Sequence, residues 1–472
     1  MRSDHVVVTD LWMRHALHVL SFAMVAVACA PTPNEPPPNP SRPIDATVTP
    51  DATVTPDATV TPDATVTPDA TVTPDAPIPP DASVTPDAPI PPDAPIPPDA
   101  PSPPGATFCE ATPPNLPAGV RVPDGFCIRR FARVGTPRVL AFAPNGDLFA
   151  ASPSAGTPGG APLGMGAILV LPDDNRDGLA DGTNVFLPGV PTVHGLLFDP
   201  DALLYTLDRG VYRLPYTTGD RAARAPLASH TRLATLDDTI RWTHTLARAT
   251  DGTLYVSMGQ HDTGVCPVPN RRVGSVLRIG GDAPLTGATV VDGLRNPMYL
   301  RCKSWGACYA AELTNDSWGA YGGVEKLIQL RQGDDYGFPC CVDRNLRWPG
   351  TPAGYDCGRV AVSVQTYPLH DTPFGFDWAP SSWPAPYGDA LFVGLHGVVG
   401  SWTNTGVQWS PTDPATHRPT RATTFFATGW GRSAAITGRV ADLVFAPDGR
   451  MFFSDDEDGG IYWVAPTSLR RP

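Results

Sequence analysis

Residues 240–260 hold the side chains of this sequence that are best suited to proton transfer and anion binding. Arg241 and His244 stand just ahead of residues 253–256, an apolar run typical of a β-strand. A histidine can accept a proton near neutral pH, whereas an arginine stays protonated and binds a carboxylate through two hydrogen bonds. This stretch therefore predicts one wall of a site that combines a base with a cation.

A second stretch of similar chemical character follows at residues 293–297. Arg295 and Asn296 offer a permanent cation and an amide, and Pro297 fixes the backbone directly after them. The alternative is a surface arginine ahead of a turn. We interpret the two stretches as parts of one cofactor site.

An acidic loop lies apart from these stretches and is suited to a hard cation. Asp173, Asn175 and Asp177 place oxygen-bearing side chains at alternate positions, and Gly178 allows a sharp turn before Asp181. Oxygen ligands at this spacing are typical of Ca²⁺ loops. The sequence predicts either a small structural calcium site at these Asp and Asn side chains or a plain acidic turn.

The elements that must position these residues form a repeat. An apolar strand leads into a turn similar to Pro-Asp-Gly, and a second apolar strand follows. Asp-Gly and Asn-Gly favour the positive φ angles of tight hairpin turns, and helical periodicity is nearly absent. Spacings of this size suit four-stranded blades, so the sequence predicts an all-β fold, a six-bladed β-propeller. The copies start near residues 139, 194, 245, 295, 374 and 442.

Taken in order, several short segments resemble the soluble quinoprotein glucose dehydrogenase and sorbosone dehydrogenase family. The members of this family are six-bladed propellers that use pyrroloquinoline quinone (PQQ). The resemblance implies a PQQ-dependent dehydrogenase that oxidises an aldose or a similar polyol, with the redox step performed by the cofactor. The matching segments are residues 173–181, 241–259, 293–297, 333–340, 395–397, 438–449 and 454–456.

The resemblance also implies roles for individual residues around the cofactor. PQQ is a planar ortho-quinone with three carboxylates, so cations are needed at its rim. Arg295, a catalytic candidate as well, and Asn296 match residues at the quinone, and Arg439 matches a cofactor-facing arginine of the last blade. His396 falls where glucose-type relatives carry a lysine, and it either binds a carboxylate or packs within a blade.

A calcium ion at the cofactor would polarise the reactive carbonyl group of the quinone. Residues 312–316 align with the family segment whose backbone carbonyls hold this ion. The resemblance thus assigns Glu312 to the cofactor site, and Thr314 and Asn315 to Ca²⁺ as carbonyl donors. Leu313 stands where sorbosone-type relatives often have an arginine.

The catalytic base is the point at which the chain departs from the family. Sorbosone-type relatives have a histidine, an aromatic residue, a threonine and an arginine ahead of the Asp-Gly turn. Alignment on that turn places Arg241 at the histidine position and His244 at the arginine position. A shift of three residues reverses the face of a strand to which a side chain points. Arg241 and His244 are the catalytic candidates. His194 and His370 are other possible bases, and a structural role is the favoured alternative for each.

The N-terminal part of the chain has the composition of a targeting segment followed by a spacer. Residues 16–28 form an apolar run too short to span a bilayer, which predicts a signal peptide with Met13 as an alternative start. Cys29 follows a sequence similar to a bacterial lipobox, so a lipid on Cys29 and ordinary signal cleavage are the two alternatives. A Pro-, Asp- and Thr-rich repeat follows and predicts a disordered stalk, hence an exported lipoprotein of the cell envelope or cell surface. The predicted signal peptide, linker and propeller are residues 1–28, 29–105 and 106–472.

Charge argues against a nucleic-acid partner. The formal net charge is −13, but ten Asp residues together with Glu35 and Arg42 of the linker contribute −10. The propeller is therefore nearly neutral and offers no basic surface for nucleic acid. A membrane is expected to contact the chain only through the lipid anchor.

Eight cysteines lie in the predicted propeller, which in an exported chain predicts disulfide bonds. Cys109–Cys127 and Cys302–Cys308 are candidate local loops. The other four cysteines predict two more disulfides, with a zinc site as the alternative. These four are Cys266, Cys340, Cys341 and Cys357.

Two functions from different classes follow. The first is a dehydrogenase that takes a sugar and passes electrons to an acceptor the sequence does not identify. The second is a propeller that has lost this chemistry and binds a glycan or a protein. Arg295 and Arg439 favour the first function, whereas Arg241, Leu313 and Ala441 depart from the family and favour the second. A calcium-dependent hydrolase has no distinctive motif here.

Overall fold

The computed structural model describes residues 105–112, 115–116, 119–155, 163–237, 241–260, 265–280, 283–397, 405–431 and 436–471. The predicted signal peptide, the Cys29 anchor and the predicted stalk lie outside these residues. The described part contains six four-stranded antiparallel sheets and one two-stranded hairpin. The predicted all-β class is confirmed.

The first three blades follow one another along the chain, each from its innermost to its outermost strand. Blade 1 contains β2 (Val139–Phe142), β3 (Leu148–Ser152), β4 (Ala167–Leu171) and β5 (Asn184–Pro188). Blade 2 contains β6 (Leu196–Asp199), β7 (Ala202–Leu207), β8 (Gly210–Pro215) and β9 (Thr231–Thr235). Blade 3 contains β10 (Leu246–Arg248), β11 (Leu254–Met258), β12 (Ser275–Gly280) and β13 (Ala283–Val291).

Blade 4 carries an insertion, and blade 6 takes its outermost strand from the N-terminal side of the propeller. Blade 4 contains β14 (Asn296–Cys302), β15 (Cys308–Leu313), β16 (Val324–Gln329) and β19 (Gln365–Pro368), and the insertion forms the hairpin β17 (Cys341–Asp343) and β18 (Leu346–Arg347). Blade 5 contains β20 (Pro373–Trp378), β21 (Leu391–Leu395), β22 (Gly406–Ser410) and β23 (Thr424–Ala427). Blade 6 contains β24 (Val440–Phe445), β25 (Met451–Asp455), β26 (Gly460–Pro466) and β1 (Phe126–Arg133).

The six innermost strands form a closed ring. Each of them contacts the next, and β24 contacts β2. The six sequence copies coincide with these strands and the hairpins that follow, so the six-bladed propeller is confirmed. Gly146, Gly252 and Gly449 occupy the predicted turns with φ angles of 94°, 86° and 91°, values that a residue with a side chain rarely adopts.

Within the described residues, helical structure is confined to short segments. One helix, α1, covers Phe108–Ala111, and Thr107 begins it with a capping box that includes Glu110. Among the described residues no helix is long and apolar enough to cross a membrane. The 3₁₀ turns are Leu227–Ser229, Asp316–Tyr321 and Cys357–Arg359.

Four disulfide bonds join the eight cysteines of the propeller. Cys109–Cys127 and Cys302–Cys308 are confirmed as predicted. The zinc alternative for the other four cysteines is wrong, because all of them are in disulfide bonds and have no thiolate to offer a metal. Their pairs are Cys266–Cys340, which ties the loop after β11 to the blade 4 insertion, and Cys341–Cys357 within that insertion.

Candidate functional site

One end of the central ring collects buried polar side chains from all six blades. Each of these residues is the first residue of an innermost strand or lies up to five residues ahead of it. Because these strands run in the same direction around the ring, their starts meet at one end. The residues are Arg138, His194, Arg241, Thr243, Arg295, Asn296, Asp371, Thr372 and Arg439.

Tyr299 of β14 forms a floor beneath this polar cluster. Its hydroxyl donates a hydrogen bond of 2.8 Å to the carbonyl oxygen of Arg138, which links blade 4 to blade 1. The Tyr299 ring lies 5.6 Å from the His194 ring and 5.5 Å from the Phe374 ring. The centre of the ring below the cluster is therefore packed with side chains rather than open.

Glu312 of β15 holds the backbone of Arg295 and Asn296. Its carboxylate accepts hydrogen bonds from the Arg295 N–H at 2.7 Å and from the Asn296 N–H at 3.2 Å. The register between β14 and β15 shifts just after this point. Burial raises the pKa of Glu312 to about 7, against the opposing effect of these hydrogen bonds. Glu312 thus acts on the candidate cofactor site through the backbone of its neighbours.

The Arg295 guanidinium lies against the segment that follows β15. Arg295 Nη1 donates to the carbonyl oxygen of Thr314 at 2.8 Å, and Nη2 lies 3.4 Å from a carboxylate oxygen of Asp316. The buried Glu325 of β16 accepts from the N–H groups of Thr314 at 2.9 Å and His370 at 3.3 Å. Two buried carboxylates on paired strands therefore fix the position of Arg295 and its acceptor.

A second network joins blades 1, 5 and 6 across the ring. Arg439 Nη2 donates to His396 Nδ1 at 2.7 Å, and His396 Nε2 lies 3.0 Å from both carboxylate oxygens of Asp456. Arg138 Nε lies 2.7 Å from the same carboxylate. The Phe374 ring stacks on the His396 ring at 4.0 Å. His396 is thus fixed on one face and at both nitrogens.

The hydrogen bonds of this network define its protonation state. Because an arginine can only donate, His396 Nδ1 accepts and Nε2 carries the proton directed at Asp456. Burial, reinforced by Arg439, lowers the pKa of His396 to about 3, so the ring is neutral. Burial alone would raise the pKa of Asp456, but Arg138, His396 and Arg439 together hold it below its usual range. His396 therefore does not supply the positive charge that a lysine at this position would supply.

His244 lies between blades 2 and 3 and makes bonds typical of a structural histidine. Its Nδ1 is 2.9 Å from the carbonyl oxygen of Ser257, and its Nε2 is 3.2 Å from that of Asp208. Burial lowers its pKa, and a neutral ring can donate to only one of these two carbonyl oxygens. This geometry counts against His244 as the base. Arg241, at the family's histidine position, is buried beside Gly259, where a Cβ atom would collide with the Arg241 side chain.

His194 has the hydrogen bonds that a base requires. Its Nδ1 lies 3.2 Å from the carbonyl oxygen of His244, which assigns the ring proton to Nδ1. Its Nε2 is buried and has no hydrogen-bond partner among the described residues. Burial lowers the pKa of His194 to about 3, so this nitrogen carries a lone pair at physiological pH.

Two side-chain amide oxygens near Arg295 also lack hydrogen-bond partners among the described residues. Asn296 Oδ1 and Gln260 Oε1 are buried, and within the described part of the chain neither has a hydrogen-bond partner. The backbone N–H of Gln260 donates to the Arg295 carbonyl oxygen at 2.8 Å, which fixes the position of Gln260. Buried polar atoms are normally satisfied, so these oxygens indicate a ligand or water at this end of the ring.

The oxygens of both predicted calcium sets accept hydrogen bonds within the protein. The Thr314 carbonyl accepts from Arg295, and the Asn315 carbonyl accepts from the Trp318 N–H at 3.0 Å. Within the described ranges, no group of three or more His, Cys, Asp or Glu side chains is placed to hold a metal ion. Each of the Thr314 and Asn315 carbonyl oxygens keeps a second lone pair, so Ca²⁺ binding by these two carbonyls stays a prediction.

The acidic loop of blade 1 lies at the periphery, away from the central cluster. The carboxylates of this loop accept hydrogen bonds from the backbone of the same loop. The Leu179 N–H donates to Asp177 at 2.8 Å, and the Asp174 N–H donates to Asp181. Burial raises the pKa of Asp173 to about 6, and Arg450 Nη2 lies 3.6 Å from it. Asn175 Oδ1 accepts from the Asp177 N–H at 2.9 Å. Calcium binding by this loop stays a prediction, and the hydrogen bonds describe a self-contained acidic turn.

The sequence reasoning missed two residues of the central site. Arg138 directly precedes β2, as Arg295 precedes β14 and Arg439 precedes β24, and this shared position was the signal available for Arg138. Asp456 belongs to a matched segment, but it stands in a run of four acidic residues, 455–458, a pattern typical of a solvated loop. Its carboxylate is instead fully buried.

No model of a known protein family matches the chain, and no curated protein matches it. Solved structures do match. An AA12-family carbohydrate-active enzyme of Trichoderma reesei superposes with a TM-score of 0.59 and 16% identity over 75% of this chain and 99% of its own. The holo form of the pyranose dehydrogenase PQQ domain of Coprinopsis cinerea gives a TM-score of 0.61 and 16% identity over 74% of this chain and 98% of its own.

The soluble aldose sugar dehydrogenase of Escherichia coli, in its apo form, superposes with a TM-score of 0.51 and 16% identity over 72% of this chain and 99% of its own. At these identities the likeness establishes the fold. The resemblance inferred from the sequence is thus confirmed at that level: the chain has the six-bladed fold of glucose and aldose sugar dehydrogenases.

Proposed function

We propose that the central site binds PQQ and uses it to oxidise a sugar. The observation that carries this proposal is the meeting of Arg138, Arg295 and Arg439 from three blades at the end of the ring where the Asn296 and Gln260 oxygens lack partners among the described residues. Arginine is the side chain best suited to bind carboxylates. The names of the structures that share the fold support the same cofactor and substrate class.

The residues at this end of the ring fit a flat, carboxylated quinone. Arg295 and Asn296 would hold the quinone edge, since their backbone is fixed by Glu312. Arg439 would bind a carboxylate, and burial lowers its pKa only to about 10, so it stays charged. The neutral His396 would contribute through Arg439, which it positions at 2.7 Å.

When bound, PQQ supplies the two-electron acceptor for the hydride that leaves the sugar carbon. The chain must take the hydroxyl proton. We assign that role to His194 Nε2, because it is the buried histidine nitrogen of this cluster whose lone pair has no partner in the described residues. The Nδ1 contact with the His244 carbonyl holds the required tautomer.

The proposed setting is the cell envelope, with a lipid on Cys29 as the anchor and an electron acceptor nearby. Mass spectrometry of the mature N-terminus tests this part separately. A diacylglycerol-modified Cys29 is the expected result, and an unmodified mature protein would contradict it.

The central experiment titrates the purified full chain with PQQ and follows binding by tryptophan fluorescence, then dye reduction with a panel of aldoses and polyols. We expect tight binding and reduction with at least one sugar. Arg295→Ala should abolish binding, whereas Arg232→Ala, on the exposed face of β9, should leave it unchanged. Failure to bind PQQ would sink the proposal. Binding without turnover would favour a propeller that keeps the ligand site and has lost the chemistry.

A further inference from the structure

Two cavities lie along the blade 4 insertion, beside the central cluster. The inner cavity has a volume of about 390 Å³ and the outer one a volume of about 450 Å³. Asp335 and Tyr355 line both of them, so the two cavities are neighbours. Cavities of roughly 300–1,000 Å³ are typical of small-molecule sites. Together they therefore have room for a ligand longer than one sugar unit.

Gln260 connects the inner cavity to the central cluster. It lines this cavity, and its backbone N–H donates to the Arg295 carbonyl oxygen at 2.8 Å. Gln260 is 2% exposed, and its Oε1 atom has no hydrogen-bond partner within the described part of the chain. A buried acceptor without a partner indicates a ligand or a water molecule. The inner cavity thus begins where the proposed function places the reacting sugar unit.

The walls of both cavities are fixed by disulfide bonds. Cys266–Cys340 ties the loop after β11 to the insertion, and Cys341–Cys357 closes the insertion on itself. Tyr355 packs against these cysteines, and its side chain is half-buried. The walls are therefore ordered before any ligand arrives, which reduces the entropic cost of binding.

The polar groups of the two cavities suit a neutral ligand that is rich in hydroxyl groups. Four carboxylates and three guanidinium groups line them, so neither sign of charge dominates as a polyanion or a polycation would require. Arg271 lies 2.5 Å from Asp292 and 3.2 Å from Asp335. Arg359 lies 3.1 Å from Asp356. Carboxylates accept and guanidinium groups donate hydrogen bonds, and a sugar hydroxyl does both.

We propose that the two cavities hold the sugar units that follow the reacting one, so that the preferred substrate is an oligosaccharide rather than a monosaccharide. Oxidation of the terminal unit rests on the proposed function, with PQQ as the oxidant, whereas binding of the following units rests on the cavities. The inner cavity takes the second unit and the outer cavity takes the later ones. Tyr355, at the boundary, presents an aromatic surface to the C–H groups of a sugar ring.

The first arm of the test is dye reduction by the PQQ-loaded full chain. The substrates are malto-, cello- and xylo-oligosaccharides of one to five units. We expect kcat/KM to rise at least about tenfold from the monosaccharide to the trisaccharide in one series. The gain should lie in KM, because units far from the reacting carbon are bound equally in the ground state and the transition state. Activity without any gain from length in all three series would overturn the inference and leave the proposed function intact.

Three variants locate the bound units. Tyr355→Ala should remove most of the gain from length and change kcat/KM for the monosaccharide by less than about twofold. Arg359→Ala should remove only the gain from the third and later units, because Arg359 lines the outer cavity alone. Phe425→Ala is the control, because Phe425 is an exposed aromatic residue of β23 that lines neither cavity. It should keep the full gain.

Two outcomes of this comparison decide the location. A gain from length that survives both Tyr355→Ala and Arg359→Ala would contradict the inference. The Arg359 side chain is 88% exposed, so its removal leaves the fold intact. Should Tyr355→Ala fail to fold, Arg359→Ala alone carries the comparison.

The second arm separates this inference from the proposed function. Calorimetric titration of the chain without PQQ uses the same oligosaccharides. They should bind more tightly as their length increases from one to three units, and Tyr355→Ala should weaken the trisaccharide by about tenfold. Such binding by a chain that oxidises no sugar would support the cavities and remove the proposed function. Binding that does not depend on length would overturn the inference.

Discussion

Three buried histidines around the ring differ in what their nitrogens contact, and this difference decides which of them can accept a proton. His396 donates to Asp456 and accepts from Arg439, so both nitrogens are engaged. His244 faces two backbone carbonyls. His194 faces a carbonyl only with Nδ1, and its Nε2 has no partner in the described part of the chain. Chemistry at this end of the ring is therefore expected to depend on His194.

Substitution of His194 should reduce turnover more than stability. A general base contributes about 10²- to 10⁴-fold to a rate, so His194→Gln should lower kcat by about that factor. Because burial lowers the pKa of His194 to about 3, the activity of the wild type should not fall between pH 8 and pH 5 through protonation of this residue. Dye-reduction kinetics across this pH range provide both measurements.

His244→Gln is the matched comparison, because His244 is equally buried and one residue from the same cluster. It should lower the unfolding temperature through the lost contacts to Ser257 and Asp208, at a cost of about 1–3 kcal/mol. Its kcat should change far less than that of His194→Gln. The reverse ranking of kcat would return the role of base to His244.

At the scale of strands and loops, the central site depends on what precedes each innermost strand. The repeat made these positions predictable, because Arg295 and Arg439 directly precede β14 and β24, and Arg138 directly precedes β2 in the same way. The turns were equally predictable from Asn-Gly and Asp-Gly. Contacts between blades were not, because they depend on how the ring closes: the burial of Asp456 against Arg138 joins residues that are far apart in the chain.

The direction in which side chains point was the second feature that could not be predicted from the sequence. The alignment placed His244 three residues from the family's base, and the structure shows its ring turned between two blades rather than toward the centre. Nor does the sequence indicate that Glu325 supports Thr314, since that contact depends on the register of β15 and β16. Local patterns fixed where residues stand along a strand, whereas pairing and blade packing decided what they touch.

The disulfides offer a test at this scale, because two of them close loops of very different length. Cys266–Cys340 closes a separation of 74 residues and joins blades 3 and 4, whereas Cys302–Cys308 closes 6 residues within one hairpin. In the chain-entropy description, loss of the longer loop costs about 4 kcal/mol and loss of the shorter about 2 kcal/mol. Denaturant unfolding of C266A/C340A and C302A/C308A should show this order. Equal losses would indicate that the long crosslink does not restrict the unfolded chain as expected.

Over the whole molecule, ring closure links the two ends of the propeller. β1 pairs with β26, so the strand nearest the N-terminal side completes the last blade. The same closure places charged groups of blades 1, 5 and 6 in one buried network, where Asp456 faces Arg138 and His396. Stability and the central site are therefore coupled, since protons taken up or released by buried groups affect both.

The pH dependence of stability follows from buried groups with shifted pKa values. Burial raises the pKa of Glu312 to about 7 and that of Glu325 to about 8, so the folded state holds protons that the unfolded state releases near pH 4.5. Their contribution is present at low pH and is lost as the pH rises through the folded values. Burial lowers the pKa of His194 and His396 to about 3, so their contribution is lost as the pH falls below about 6.5.

The free energy of unfolding should therefore be highest at mildly acidic pH and fall between pH 6.5 and pH 8. In this range the two carboxyl groups lower the free energy as the pH rises, and the histidines no longer offset that decrease. Glu325→Gln removes one of these groups and should make the decline shallower by about 1.4 kcal/mol per pH unit. Glu110→Gln is the control, because hydrogen bonds from Thr107 lower the pKa of this exposed group and keep it ionised throughout the range. Denaturant titrations at intervals from pH 5 to pH 8 measure the slopes. An unchanged slope in Glu325→Gln would show that Glu325 is already ionised in the folded protein. The Thr314 N–H would then donate to a charged carboxylate at neutral pH.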